Sequence, residues 1–148
     1  MAGGLVMPRL TRDEYLIKTA FLVAARSTCN RLHVGCVFAR DARIVCTGYN
    51  GAPAGMPHCG PECNDSTPCL RSAHSEANGI AWAARHGISL LGTTLYLTHS
   101  PCPPCSMMII NAGVEKVIYY EAYRLTDGID LLKKALILVH QFDQGNQS

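Results

Sequence analysis

Two short stretches of this chain carry the residue types that can do chemistry. His74-Ser75-Glu76 stands at the predicted start of one helix. Pro101-Cys102-Pro103-Pro104-Cys105 opens the following helix, with a strand predicted between them. One histidine and two cysteines make three zinc ligands, the number that leaves the fourth tetrahedral position open to water. Cys102 and Cys105 are three apart, so on a helix both thiols face one point. The helix N-terminus lowers a thiol pKa, which favours metal binding. Glu76 lies two residues beyond His74 and reaches a water at the metal without ligating. That is the place of a general acid and base.

Each stretch alone is weak. A Cys-x-x-Cys pair also serves redox chemistry or half of a structural zinc knuckle. The ordered pair, His-x-Glu and then Pro-Cys-x-x-Cys, is far more specific and is the signature of zinc deaminases.

The elements that must position these residues follow from patterning. Thr11-Arg-Asp-Glu14 reads as a capping box. Behind it Leu16, Ile17, Ala20, Phe21, Val23 and Ala24 give a helix with a buried stripe to about Arg26. Residues 33–39 and 43–48 read as a hairpin. Residues 73–86 suit a helix closed by Gly87, and 93–98 a strand. Ser100 is predicted to cap the next helix, with Pro101 at its first position, running to Asn111 and ending at Gly113. A strand over 117–120, a helix over 125–135 and a last strand over 136–140 follow. The order predicts a three-layer α/β/α sandwich around a mixed five-stranded sheet. With 148 residues this is one domain, and residues 1–9 read as a loose arm.

Composition narrows the function further. A net charge of +2 offers no basic stripe for nucleic acid. The apolar runs fall short of the ~18–20 residues that span a bilayer, so no membrane role is expected. The first residues lack the basic and apolar regions of an export signal. Of the eight cysteines, Cys36 and Cys46 sit in apolar runs and read as small core residues. Cys29, Cys59, Cys63 and Cys69 do not. The loop over 56–70 carries three of those four with three prolines, and a structureless stretch of that length needs an explanation. A metal would supply one.

The chain resembles the zinc-dependent cytidine deaminase superfamily, and within it the deoxycytidylate (dCMP) deaminases of phage and bacterial type. The resemblance rests on Arg26-Ser27-Thr28, Val34-Gly35, Thr47-Gly-Tyr-Asn-Gly51 with Pro53 and Gly55, His74-Ser-Glu76 with Asn78, Ser100-Pro-Cys-Pro-Pro-Cys105, Ala112-Gly113 and Tyr123. It covers roughly residues 11–123. It implies hydrolysis of dCMP to dUMP and ammonia, supplying dUMP for thymidylate synthesis. Zn2+ is then held by His74, Cys102 and Cys105. Glu76 moves protons from water to N3 of cytosine and on to the leaving ammonia. Asn50 maps to a sugar or base contact. Arg26, Ser27 and Thr28 map to the 5′-phosphate, a suitable anion for such groups. Tyr123 and Ser100 map near the nucleotide. The resemblance also implies a second, structural zinc held by Cys29, Cys59, Cys63 and Cys69, with His58 as an alternative ligand. It implies a homo-oligomer, dimer or hexamer, with the apolar loops around 49–57 at an interface. It places the protein in the cytoplasm, the host's if the source is a phage. Mg2+ enters only as the companion of a nucleotide effector.

This chain departs from the commoner motif at Ser75, where relatives have alanine, and at His99, where they often have an apolar residue. His99 reads as a buried hydrogen-bonded histidine, with contact to the base as the other reading. Two rival functions stay open. One is a deaminase of another cytosine nucleotide or nucleoside: 5-methyl- or 5-hydroxymethyl-dCMP, dCTP or cytidine. The other is a non-catalytic zinc module, in which Glu76 would have no task.

Overall fold

The computed structural model describes residue 4, residues 6–63 and residues 69–145. Part of the predicted arm (residues 1–3 and 5) and positions 64–68 of the predicted metal loop lie outside those residues. The elements run α1 (Arg12–Ala24), β1 (Gly35–Arg40), β2 (Arg43–Tyr49), α2 (Ser75–Arg85), β3 (Thr94–His99), α3 (Pro103–Asn111), β4 (Lys116–Glu121), α4 (Asp127–Lys134) and β5 (Leu138–Gln141). This is the order that the patterning predicts.

Five strands make one mixed sheet in the order β2-β1-β3-β4-β5. β1 is antiparallel to both β2 and β3, while β3, β4 and β5 are parallel. Strand side chains alternate between faces, and the core divides accordingly. Val37, Ala39, Tyr96 and Ile118 meet Leu16, Ile17 and Ala20 of α1 on one side. Cys36, Phe38, Leu95, Leu97 and Val117 meet Ala83 of α2, Ile109 of α3 and Leu132 of α4 on the other. Helices thus cover both faces. Cys36 and Cys46 lie in the second cluster as core residues.

α1 starts as its sequence directs. Thr11 Oγ1 accepts from Glu14 N at 3.2 Å, and Glu14 Oε2 accepts from Thr11 N at 2.7 Å. The same bonds hold the Glu14 carboxyl below its ordinary pKa.

α3 corrects the prediction. Its cap is Cys102 rather than Ser100, and Pro103 rather than Pro101 takes the first turn. Cys102 is extended, at φ −74° and ψ 164°. A residue before proline is pushed out of the helical region, so Pro103 prevents the helix from starting earlier.

One glycine sets the distance between sheet and site. A Cβ on Gly48 of β2 would fall on the carbonyl oxygen of Ser75 and come within 2.8 Å of Gly79 N. Both are backbone atoms of α2 or its first turn, so nothing flexible can yield. Gly48→Ala is expected to lower the melting temperature by roughly 5–10 °C, as overpacking of a few kcal/mol does in a chain of this size. Thermal unfolding followed by circular dichroism checks this, and an unchanged transition would mean that α2 moves away freely.

Candidate active site

The N-termini of α2 and α3 converge on one point. His74 caps α2 and Cys102 caps α3, both in extended backbone and neither closing its helix with a side-chain hydrogen bond. Their side chains are left for each other. His74 Nδ1 lies 3.4 Å from Cys102 Sγ and 3.4 Å from Cys105 Sγ. All three donor atoms lie within 4.8 Å of one another.

This spacing fits a zinc ion. With Zn–S near 2.3 Å and Zn–N near 2.0–2.1 Å, a tetrahedral edge from nitrogen to sulfur is roughly 3.5 Å. The donor set is one imidazole and two thiols, soft and borderline ligands suited to zinc. Hydrogen bonds from Cys105 and His74 bring Cys102 down to about 4. Cys105 is pushed up by its bond to Cys102 and by burial. His74 is raised by its bond to Cys102.

Glu76 lies in the first turn of α2 and is 4% exposed. Burial pushes its carboxyl above the usual pKa, against the pull of its own backbone N–H and of Ser75. Ser75 Oγ donates to Glu76 Oε2 at 2.9 Å. Sequence reasoning missed this bond, because Ser75 reads as a mild departure from alanine. Its signal was present: a hydroxyl adjacent to a buried carboxylate is a ready donor. Ser75→Ala is expected to lower kcat by about three- to tenfold, the worth of one such bond. Zinc content should not change. Equal rates in the two proteins would show that the hydroxyl has no part in orienting Glu76.

These residues line a cleft of ≈ 190 Å³ whose wall includes Arg31, Leu32, Asn50, Cys69, Ser72, His99, Ser100 and Tyr123. A wider groove of ≈ 770 Å³ runs between α1 and the edge of β4 and β5, and holds none of the predicted site residues.

The remaining predicted residues divide. Asn50 is buried at the cleft, but its amide is engaged. Its Oδ1 accepts from Ser27 Oγ at 2.6 Å and Val34 N at 2.8 Å, and its Nδ2 donates to Leu32 O at 2.7 Å. Ser27 Oγ also lies 2.8 Å from Asn50 O. Thr28 Oγ1 sits against Gly51, where a Cβ would meet it. Ser27 and Thr28 therefore brace the loop after β2, and neither they nor Arg26 is part of the cleft wall. Arg26 is exposed. Ser100 is buried, and its hydroxyl accepts from Tyr123 N at 2.7 Å. Tyr123 is about half exposed at the rim.

His99 is a mostly buried, hydrogen-bonded histidine that also lines the cleft. Its Nδ1 lies 2.9 Å from Thr98 Oγ1 and its Nε2 3.3 Å from Glu121 Oε2. Burial lowers its pKa, and Glu121 opposes that.

Of the four remaining cysteines, Cys29 and Cys69 line the cleft, and Cys59 has Cys63, Cys29 and Cys69 as neighbours. The Cys59 thiol is raised by burial and by the neighbouring Cys63, Cys29 and Cys69. Cys29 Sγ accepts from Arg31 N at 3.4 Å, and Cys69 Sγ from Ser72 N at 3.2 Å. Among the described residues they are less tightly gathered than the triad of His74, Cys102 and Cys105.

Comparison with known proteins agrees with this geometry. The cytidine and deoxycytidylate deaminase zinc-binding region matches residues 10–121. A deoxycytidylate deaminase of Mycobacterium phage D29 is 39% identical over 127 residues, covering 76% of this chain and 97% of the phage protein. One from Saccharomyces cerevisiae is 38% identical over 140 residues, covering 88% of this chain and 44% of the yeast protein. The crystal structure of dCMP deaminase from the cyanophage S-TIM5, in complex with dCMP and dUMP, superposes with a TM-score of 0.84. It is 37% identical, with 92% of this chain and all of that one covered.

Proposed function

We propose that this chain, which belongs to the cytidine and deoxycytidylate deaminase zinc-binding family, hydrolyses dCMP to dUMP and ammonia. The observation that carries the reading is the buried Glu76 carboxyl beside three converging zinc ligands. The cyanophage enzyme crystallised with dCMP and dUMP supports the choice of nucleotide.

His74, Cys102 and Cys105 would hold Zn2+. When bound, zinc supplies a Lewis acid that makes water a nucleophile near neutral pH. The remaining work falls to the chain itself. Glu76 takes a proton from the attacking water and delivers it to N3 of cytosine. It then takes the proton of the hydroxyl formed on C4 and passes it to the departing amine. Its raised pKa suits a group that must both take and give a proton. Ser75 fixes which carboxylate oxygen faces the reaction. One water is consumed, the C4–N bond breaks, and ammonia leaves.

The test is a substrate panel. Purified protein is incubated with dCMP, CMP, deoxycytidine, dCTP and 5-methyl-dCMP, and ammonia release and the ultraviolet shift are followed. The reading expects dCMP to be turned over well above deoxycytidine. Preference for dCTP or for the methylated base would keep the chemistry and overturn the substrate.

A second, structural zinc at Cys29, Cys59, Cys63 and Cys69 belongs to the same reading. The mutual approach of these thiols and the two N–H···S bonds support it, since metal-bound thiolates accept such bonds. Two zinc ions per chain, falling to one in Cys63→Ser, is the expected metal analysis. One ion in both proteins would remove the second site. A cytoplasmic setting belongs to the same reading. Assembly into a homo-oligomer through the loops around Tyr49 and Met56, which are 36% and 48% exposed, is tested by light scattering. A monomer at micromolar concentration would refute it.

A further inference from the structure

Two features outside the catalytic cleft have no task in the chemistry. One is the groove of ≈ 770 Å³ beside α1. Parallel strands are as a rule covered on both faces. Here α1 packs on β1, β2 and β3, and Ile118, Tyr120, His140 and Phe142 line the groove next to it. Its wall is aromatic. Phe21 meets Tyr120 edge-on at 4.8 Å, and Tyr120 stacks with Phe142 at 6.1 Å. The other feature is the segment before α1. Residues 6–10, Val-Met-Pro-Arg-Leu, belong to no helix or strand. Val6 is 94% and Met7 69% exposed, so the fold leaves two large apolar side chains in water. We propose that residues 6–10 of a second copy of this chain dock in the groove, and that two copies exchange these segments reciprocally.

Length, chemistry and charge agree. The groove is lined along α1 from Thr11 to Phe21, roughly 15 Å at 1.5 Å per residue. Five extended residues span about 16–17 Å. Pro8 fixes its own φ and pushes Met7 into extended backbone, so ordering the segment costs little. An extended, proline-bearing apolar segment is the natural occupant of an aromatic-walled groove. The segment carries Arg9 and no acid. Asp13, Glu14 and Asp143 line the groove, against Lys18 and Lys116. Asp13 and Glu14 keep their charge while accepting from Tyr96 Oη and Thr11 N. The direction of the chain selects a second copy. The segment joins α1 at Thr11, at one end of the groove, and the capping box holds that junction. To enter its own groove it would have to reverse there and spend its length on the turn. The segment of a second copy enters straight, and reciprocal exchange closes a two-fold pair.

Arg9 supplies the probe. Trypsin cleaves after an accessible arginine, and brief cleavage follows the population of the undocked segment. Full-length wild type, Met7→Asp and Phe142→Asp are digested, and the released N-terminal fragment is followed by mass spectrometry. Met7→Asp changes an exposed side chain and leaves the core alone. A melting curve checks Phe142→Asp. His140→Asp, at an exposed position of the same wall, takes its place if that variant is unfolded. Wild type is expected to release the fragment at least about tenfold more slowly than Met7→Asp, the effect of losing one buried methionine. The groove variant should be cut as fast as Met7→Asp. Mixing the two variants should then slow release from the groove variant, because its intact segment meets the intact groove of Met7→Asp. The two fragments differ in mass at residue 7, so each chain is read separately. Fast release from the groove variant that mixing leaves unchanged would place each segment in its own groove and overturn the proposal. Equal release from wild type and Met7→Asp would show that the segment docks nowhere. Slow release from the groove variant alone would show that it docks elsewhere, and either result also defeats the proposal.

Discussion

Glu76→Gln is expected to reduce dCMP turnover by at least about a thousandfold while leaving zinc content and folding intact. General acid–base groups contribute roughly 10²–10⁴-fold, and Glu76 has two proton transfers to perform. The substitution keeps the shape of the side chain and its acceptor for Ser75 Oγ. It removes the buried acid that burial already penalises, so the fold should hold or gain slightly. That combination separates mechanism from collapse. Steady-state rates with metal analysis and a melting curve on the same sample check it. Undiminished turnover would leave Glu76 with no task and assign the proton transfers to another group.

The second large effect concerns the metal itself. Cys105 is 3% exposed and closes the inner side of the ligand triad. Cys105→Ser is expected to weaken zinc by more than about a hundredfold, since loss of a group that only hydrogen-bonds to a ligand already costs about 10–100-fold. Activity at trace zinc should vanish, and high added zinc should restore little. Competition against a chromophoric chelator measures the affinity. Wild-type affinity in this variant would show that Cys105 is a core thiol and no ligand. The thiol has company in either case, for Cys102 Sγ is drawn towards it and towards His74.

Much of this arrangement is legible before any coordinates, and the reasons are local. His74 and Cys102 each stand at the start of a predicted helix, so their types and positions announce a convergence of helix N-termini. The order of strands and helices follows from turn residues and from period. The apolar run from Cys36 to Ala39 is buried on both faces, its alternate side chains entering the two clusters. What misleads is competition between neighbours. Pro101, Pro103 and Pro104 all suit a first turn, and only the constraint of Pro103 on Cys102 selects the start.

The polar loop is harder to read for a different reason. Asn50 and Ser27 have the chemistry of substrate contacts, yet they satisfy each other across 23 residues of chain. Buried polar groups must find partners, and which partner depends on tertiary approach. Arg31 is the counterpart. In sequence it is an arginine in a short connection between α1 and β1, with no period to mark it. In the fold the connection is tied down and its side chain lines the cleft. The four thiols of Cys29, Cys59, Cys63 and Cys69 lie between these cases. Their number invites a metal, and Cys63, Cys29 and Cys69 are neighbours of Cys59.

The most direct test of the account is the conversion of dCMP followed by proton NMR with ammonia assayed in parallel. Wild type is predicted to yield dUMP and ammonia in equal amounts, to stop after chelation, and to resume when zinc is restored. No dUMP from the zinc-loaded protein, with the ion shown to be bound at His74, Cys102 and Cys105, would contradict it.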